Sequence, residues 1–207
     1  MDKLKKFVRT GDAPSTEKRV KEMLDAGQEP EAILKEALIP AMDEVGDLFQ
    51  KGEYFLPEML IAARAMKQGL ALLKPKLVAS GVDPAGKVVI GTVKGDLHDI
   101  GKNLVAMAIE GAGFEVIDLG IDVPSDKFIS AIKEHQPVAL GISALLTTTM
   151  VSMKNTIAAI RESEACDKVK IMVGGAPVTQ TFADEIGADF YGKDPTEGKT
   201  FVKGLVG

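Results

Sequence analysis

The chain has 207 residues, 45% of them hydrophobic, with a net charge of −5, two histidines and one cysteine, enough for one large domain or two small ones with real cores. Acidic and basic residues are interspersed with no Lys/Arg block to neutralise phosphates, no run reaches the ~18 apolar residues of a membrane span, and the charged start Met1–Lys6 leads into no apolar secretion region; the expectation is a cytoplasmic protein with no nucleic-acid and no membrane partner. Cys166 alone excludes an internal disulfide, and with only His98 and His135 beside it no zinc site of the usual kind can form, so any metal has to arrive inside a cofactor.

From the N-terminus to about Ser80 the apolar spacing is helical. Helices are expected over 2–10, 15–26, 31–50 and 56–74, with Ser15 and Thr16 opening the second, Pro30 opening the third, Pro40 as a kink and Pro75 bending or ending the last. In the third, Ile33, Leu34, Leu38, Met42, Val45 and Leu48 alternate with charged residues, as a helix with one buried face requires. Residues 1–80 therefore read as a small four-helix bundle. The stretch around 81–87, with Gly81, Pro84 and Gly86 and no period, reads as a linker.

From 88 to 207 short β-branched runs alternate with helical stretches. Strands are expected at 87–93, 114–119, 138–143, 169–174 and 188–191, with helices at 100–112, 125–135, 149–163 and 179–186. That alternation is the signature of a doubly wound α/β domain with a parallel five-stranded sheet. Val138–Ile142 is apolar throughout, as a strand covered on both faces must be. In such sheets ligands sit beyond the carboxyl ends of the strands where strand order reverses. That edge receives His98, Ser143 with Leu145, Gly174-Gly175-Ala176 and Tyr191-Gly192. Three of these connections carry small residues and one carries an imidazole.

In Gly95-Asp96-Leu97-His98-Asp99-Ile100-Gly101, a carboxylate two residues before an imidazole can hold its tautomer through Nδ1–H and free Nε2 as a metal ligand, and Gly101 lets something bulky approach the backbone. Asp96 could equally serve as the N-cap of a helix starting near Leu97. His135, before Gln136-Pro137, reads as a helix-end residue. Cys166 receives no role, and the hydroxyls of Thr147, Thr148 and Thr149 are open to capping a helix or touching a ligand's rim.

The Asp-x-His-x-x-Gly motif at 96–101, followed in order by Ser143 with Leu145 and by Gly174-Gly175, resembles the cobalamin-binding domain over about 120 residues. The resemblance implies a flavodoxin-type, Rossmann-like fold and a cobalamin cycling between cob(I)alamin and methylcobalamin, with cobalt coordinated from below by His98 and Asp96 behind the imidazole. It also implies a cofactor tail buried in a slot lined by Ser143, Leu145, Gly174 and Gly175, and cofactor contacts from Asp99, Ile100, Gly101, Thr147, Ala176 and Tyr191. The segment from Val45 to Glu58, followed by Ala62-Ala63-Arg64-Ala65-Met66, is similar to the cap region of methyl-carrying corrinoid proteins, including methionine synthase and the small subunits serving methylamine and methoxyaromatic demethylation. By that resemblance Phe55 and Met59, one helical turn apart, are expected over the upper face of cobalt, with the linker letting the cap move aside for each partner.

The implied function is a non-catalytic corrinoid subunit of anaerobic one-carbon metabolism. It shuttles a methyl group from a partner substrate:corrinoid methyltransferase to a second methyltransferase acting on tetrahydrofolate or coenzyme M, with a reductive activator rescuing Co(II). No Gly-x-Ser-x-Gly elbow or cysteine-histidine pair is visible to catalyse the transfer alone. Alternatives are a cobalamin-dependent sensor or other cobalamin-binding module, more remotely a phospho-receiver, which needs an aspartate where Ser143 stands, and a flavin carrier, which needs a phosphate cradle after the first strand.

Overall fold

The structure, a computed structural model, describes residues 1–79, 83–163 and 168–206. It divides into two compact units, Met1–Pro84 with Glu110–Gly113, and Ala85–Ile109 with Phe114–Gly207. Gly81 and Val82 of the expected linker, together with Ser80 and Cys166, lie outside the described residues. Ala85 and Gly86 already belong to the sheet unit: the Gly86 carbonyl accepts from Glu115 N–H, and Lys87 begins the first strand.

The helical unit is built from α1 (Asp2–Arg9), α2 (Ala13–Asp25), α3 (Pro30–Ile33), a π-helical turn (Leu34–Leu38), α4 (Ile39–Gln50) and α5 (Leu56–Ala79). The second helix starts earlier than Ser15 and Thr16 suggested, because Asp12 is the cap: its Oδ1 accepts from Ser15 N–H at 3.1 Å, and Pro14 occupies the first turn, where no N–H is missed. Pro40 acts as expected but by a specific device. Its ring cannot sit over the carbonyl four residues back, and the chain widens into the π turn just before it. Pro75, by contrast, does not end α5, which continues to Ala79. At the other end of α5, Phe55 is the cap residue, and Glu58 reaches back to accept from Phe55 N–H at 3.0 Å, one half of a capping box. Met59, Ala62, Ala63 and Met66 form the buried stripe that this helix presents at helical spacing.

The sheet unit contains β1 (Lys87–Thr92), all but the last two residues of α6 (Ile100–Gly111), β2 (Glu115–Asp118), α7 (Ser125–His135), β3 (Ala139–Ser143), α8 (Met150–Glu162), β4 (Lys170–Gly174), α9 (Gln180–Glu185), β5 (Phe190–Tyr191) and α10 (Pro195–Lys203). All pairings are parallel in the order β2-β1-β3-β4-β5, the flavodoxin-type doubly wound sheet, and strand order reverses between β1 and β3. On one face Val89, Leu140, Ile171 and Val173 meet Phe128 and Ile132 of α7 and Met153, Ile157 and Ile160 of α8. The alternate residues Val88 and Ile90 are buried too, so both faces of β1 are covered. Asp189 fastens the short β5 to β4 by accepting from Ile171 N–H at 2.8 Å, Arg161 at 2.6 Å and Lys170 at 3.1 Å. His135 ends α7, with Gln136 left-handed at φ 48°.

α10 is absent from the expected element string. Its signal was Asp194-Pro195: the aspartate accepts from Thr196 N–H and Glu197 N–H at 2.8 and 2.9 Å, and the proline sits at the first helical position.

Candidate cobalamin site

The chain leaves β1 at Thr92, turns at Gly95 with φ 85°, and reaches His98 before α6 begins at Ile100. Asp96 is therefore not the helix cap. Asp99 holds that place, its carbonyl accepting from Asn103 N–H at 2.8 Å and its Oδ2 from the Asn103 side-chain amide at 3.0 Å.

Asp96 is fully buried. Its Oδ1 faces His98 Nδ1 at 2.8 Å and accepts from His98 N–H at 3.1 Å. Its Oδ2 accepts from Leu145 N–H at 2.7 Å and from the Thr149 hydroxyl at 2.6 Å. Burial pushes the carboxyl upward, but these bonds from Thr149, Leu145 and His98 outweigh it and hold Asp96 below the ordinary carboxylate range. An ionised carboxylate can only accept, so His98 Nδ1 carries the hydrogen. In the neutral ring the lone pair is then on Nε2. The imidazole is half exposed, whereas its partner is wholly enclosed. That combination anchors the ring at Nδ1 and leaves half of it exposed.

The surroundings are apolar and open. Leu97 and Ile100 on the His98 segment, Ile121 after β2, Leu145 and Leu146 after β3 and Val151 on α8 are all exposed, an unusual concentration of large hydrophobic side chains on one sheet edge. A Cβ built on Gly101 meets nothing within 4 Å. At the β5 end of the same edge, the Thr196 hydroxyl is buried without a hydrogen-bond partner, which costs free energy until something supplies one.

Gly174 and Gly175 are required by the fold itself. A Cβ on Gly175, at φ 130°, would lie 1.8 Å from the Ala144 carbonyl oxygen, and one on Gly174 would lie 3.0 Å from that of Gly192. What these glycines admit is neighbouring backbone of the same sheet edge. Ser143 ends β3 beside Thr92 and Gly174, so Ser143, Leu145, Gly174, Gly175, Ala176 and Tyr191 are brought to the edge that carries Asp96, His98, Asp99, Ile100, Gly101 and Thr147. Phe55 and Met59 do not share a surface: Phe55 is 63% exposed, while Met59 is 3% exposed because it lies on the stripe that α5 buries. Sequence reasoning missed the part played by Thr149 and by the Leu145 amide, 53 and 49 residues beyond Asp96, and missed Thr196.

A doubly wound domain that offers a carboxylate-backed imidazole among exposed apolar side chains at its switch point has the ligand-binding edge expected of its fold class. Comparison with known proteins gives the class its name. The B12 binding domain family matches residues 86–198, and a second B12 binding domain family matches residues 1–74. The trimethylamine corrinoid protein of Methanosarcina barkeri is 42% identical over 203 residues, 97% of this chain and 94% of that protein. The dimethylamine corrinoid protein of the same organism is 47% identical over 180 residues, 86% and 84%. Among solved structures, the methanol:cobalamin methyltransferase complex of Methanosarcina barkeri superposes with a TM-score of 0.88 at 29% identity, covering 98% of this chain and 78% of that one. A cobalamin-binding protein from Desulfitobacterium hafniense gives 0.79 at 30%, covering 99% and 97%.

The chain belongs to the B12-binding corrinoid protein family, and its cofactor is cobalamin. The residues present fit that group: a nitrogen donor for cobalt, an apolar rim, a backbone opened at Gly101 and an orphaned buried hydroxyl that a polar tail can satisfy.

Proposed function

We propose that this protein is a methyl carrier in which His98 Nε2 is the lower ligand of the corrinoid. Bound cobalamin supplies a cobalt centre that accepts a methyl group from one protein and yields it to another. The chain's own residues hold and orient. Asp96 keeps the His98 ring in one tautomer and one orientation, Leu145 N–H and Thr149 keep Asp96 ionised, and Leu97, Ile100, Leu145 and Leu146 offer apolar contact around the imidazole. Gly101 keeps the backbone near the ring open, and Thr196 offers its hydroxyl to the cofactor tail.

Transfer in each direction is left to partners: a substrate:corrinoid methyltransferase that loads the carrier, a second methyltransferase that unloads it to tetrahydrofolate or coenzyme M, and a reductive activator. Methylated amines are the favoured donors, since relatives at 42–47% identity are trimethylamine and dimethylamine corrinoid proteins.

The observation that carries the reading is the 2.8 Å contact from a fully buried, ionised Asp96 to His98 Nδ1. The test is reconstitution with hydroxocobalamin. The wild type is expected to show a histidine-ligated spectrum, and His98→Ala to bind cobalamin without one. Identical spectra from the two proteins would remove His98 as the ligand. Loading the carrier with trimethylamine or methanol methyltransferase in parallel assays then separates the donor classes.

A further inference from the structure

α6 opens with a charge in an unfavourable place. The Lys102 side chain is 1% exposed, and it lies in the first turn of the helix, where backbone N–H groups already present positive charge. A buried ammonium is rarely the stable choice over an apolar side chain of similar volume, so the geometry around Lys102 is informative. Its Nζ donates to Asp118 Oδ2 at 2.5 Å and to Asn103 Oδ1 at 2.6 Å. From these two acceptors hydrogen bonds run outward in both directions. On one side Asn103 Nδ2 donates to Asp99 Oδ2 at 3.0 Å, beside His98. On the other, Asp118 Oδ1 accepts from Gly120 N–H at 2.9 Å, the Gly120 carbonyl accepts from Thr92 N–H at 3.0 Å, and the Thr92 hydroxyl donates to the His98 carbonyl at 2.9 Å. The two arms close on the histidine segment. The same β2–α7 loop takes a further grip, with Asp122 Oδ1 accepting from Gly95 N–H at 2.7 Å and Asp122 N–H donating to the Asp96 carbonyl at 3.0 Å.

Asp96 thus orients the imidazole ring, while Lys102 and Asp118 fix the backbone from which the ring projects. We propose that Lys102, paired with Asp118, is a positioning residue for His98, setting how closely the imidazole can approach the metal without touching cofactor itself. This inference rests on the reading that His98 ligates cobalt, and it predicts that the ligand bond weakens when the buried charge is lost although cobalamin is still retained. Lys102→Met keeps the buried stem and removes the ammonium. Lys102→Arg restores a donor in part. Asp118→Asn, at a side chain 40% exposed, slackens the same ring at little risk to folding.

Each protein is reconstituted with hydroxocobalamin, matched for cobalamin content, and reduced by one electron. The readouts are the nitrogen splitting in the electron paramagnetic resonance spectrum and the midpoint potential of the next reduction. Wild type is expected to show splitting from a histidine nitrogen, and His98→Ala to lose it. Lys102→Met and Asp118→Asn are expected to show a mixed population with part of the splitting lost and a less negative potential, with Lys102→Arg between them and wild type. Wild-type splitting and potential in both Asp118→Asn and a folded Lys102→Met would overturn the positioning role while leaving His98 ligation intact. Absence of splitting in the wild type would instead overturn the ligation on which it rests. Should Lys102→Met not fold, Asp118→Asn alone decides, an unchanged potential counting against the proposal.

Discussion

At the scale of the residue, Asp96 is a fully buried carboxylate held by the Thr149 hydroxyl, Leu145 N–H and His98. Replacing it by asparagine turns an acceptor of several donors into a group with an NH2 that must face one of them, at a cost of roughly 1–3 kcal/mol. We expect Asp96→Asn to unfold at lower urea concentration even without cobalamin, since Leu145 N–H and the Thr149 hydroxyl bind Asp96 in the absence of any cofactor. Its depressed pKa also sets the direction of acid sensitivity. A carboxyl held below its unfolded value contributes stability that is complete above that value, about 3.9, and is lost as the pH falls toward the folded one. Asp189 acts in the same sense: burial raises it, but Ile171 N–H, Arg161 and Lys170 prevail. Urea melts of the apo-protein should therefore change little from pH 7 to 5 on account of these two groups and weaken below about pH 4, with Asp96→Asn flattening part of that slope.

At the scale of the element, two glycines that look alike in sequence have opposite meanings. Gly175 stands where its backbone meets that of Ala144, so Gly175→Ala should cost more than roughly 1 kcal/mol and lower the apo-protein's melting temperature. Gly101 opens onto empty space within a helix, so Gly101→Ala should leave the fold intact or strengthen it by roughly 0.5–1 kcal/mol, because alanine is the better helix former. Titration with hydroxocobalamin should nonetheless show weaker binding in Gly101→Ala, and unchanged affinity would mean that the cofactor does not approach that backbone. Elements were legible where a local rule dominates: the five strands and most helices follow from β-branched runs, periodicity and caps. They were misjudged where a cap lay upstream of the hydroxyl that drew attention, Asp12 for Ser15, where α5 runs on to Ala79 instead of stopping at residue 74, and where α10 follows a strand too short to announce what comes next.

At the scale of the whole molecule, a cofactor that binds the folded chain stabilises it by mass action. A ligand at 100 times its dissociation constant adds about 2.7 kcal/mol, which for a chain of this length is roughly 5–10 °C in melting temperature. We expect hydroxocobalamin to raise the melting temperature by that order and His98→Ala to diminish the gain; no gain at all in the wild type would deny the cofactor its site. The sequence by itself was sufficient for the alternation of strands and helices, for the sheet edge on which ligands bind and for the Asp-x-His pair, because each depends on spacing within a few residues. Only the tertiary structure decided that Thr149 and the Leu145 amide hold Asp96, that Gly175 is required by Ala144, and that Lys102 and Asp118 close a ring around the histidine. Those pairings join residues far apart in the chain, brought together by parallel strands whose ends meet at one edge, and no local pattern encodes which ends will meet.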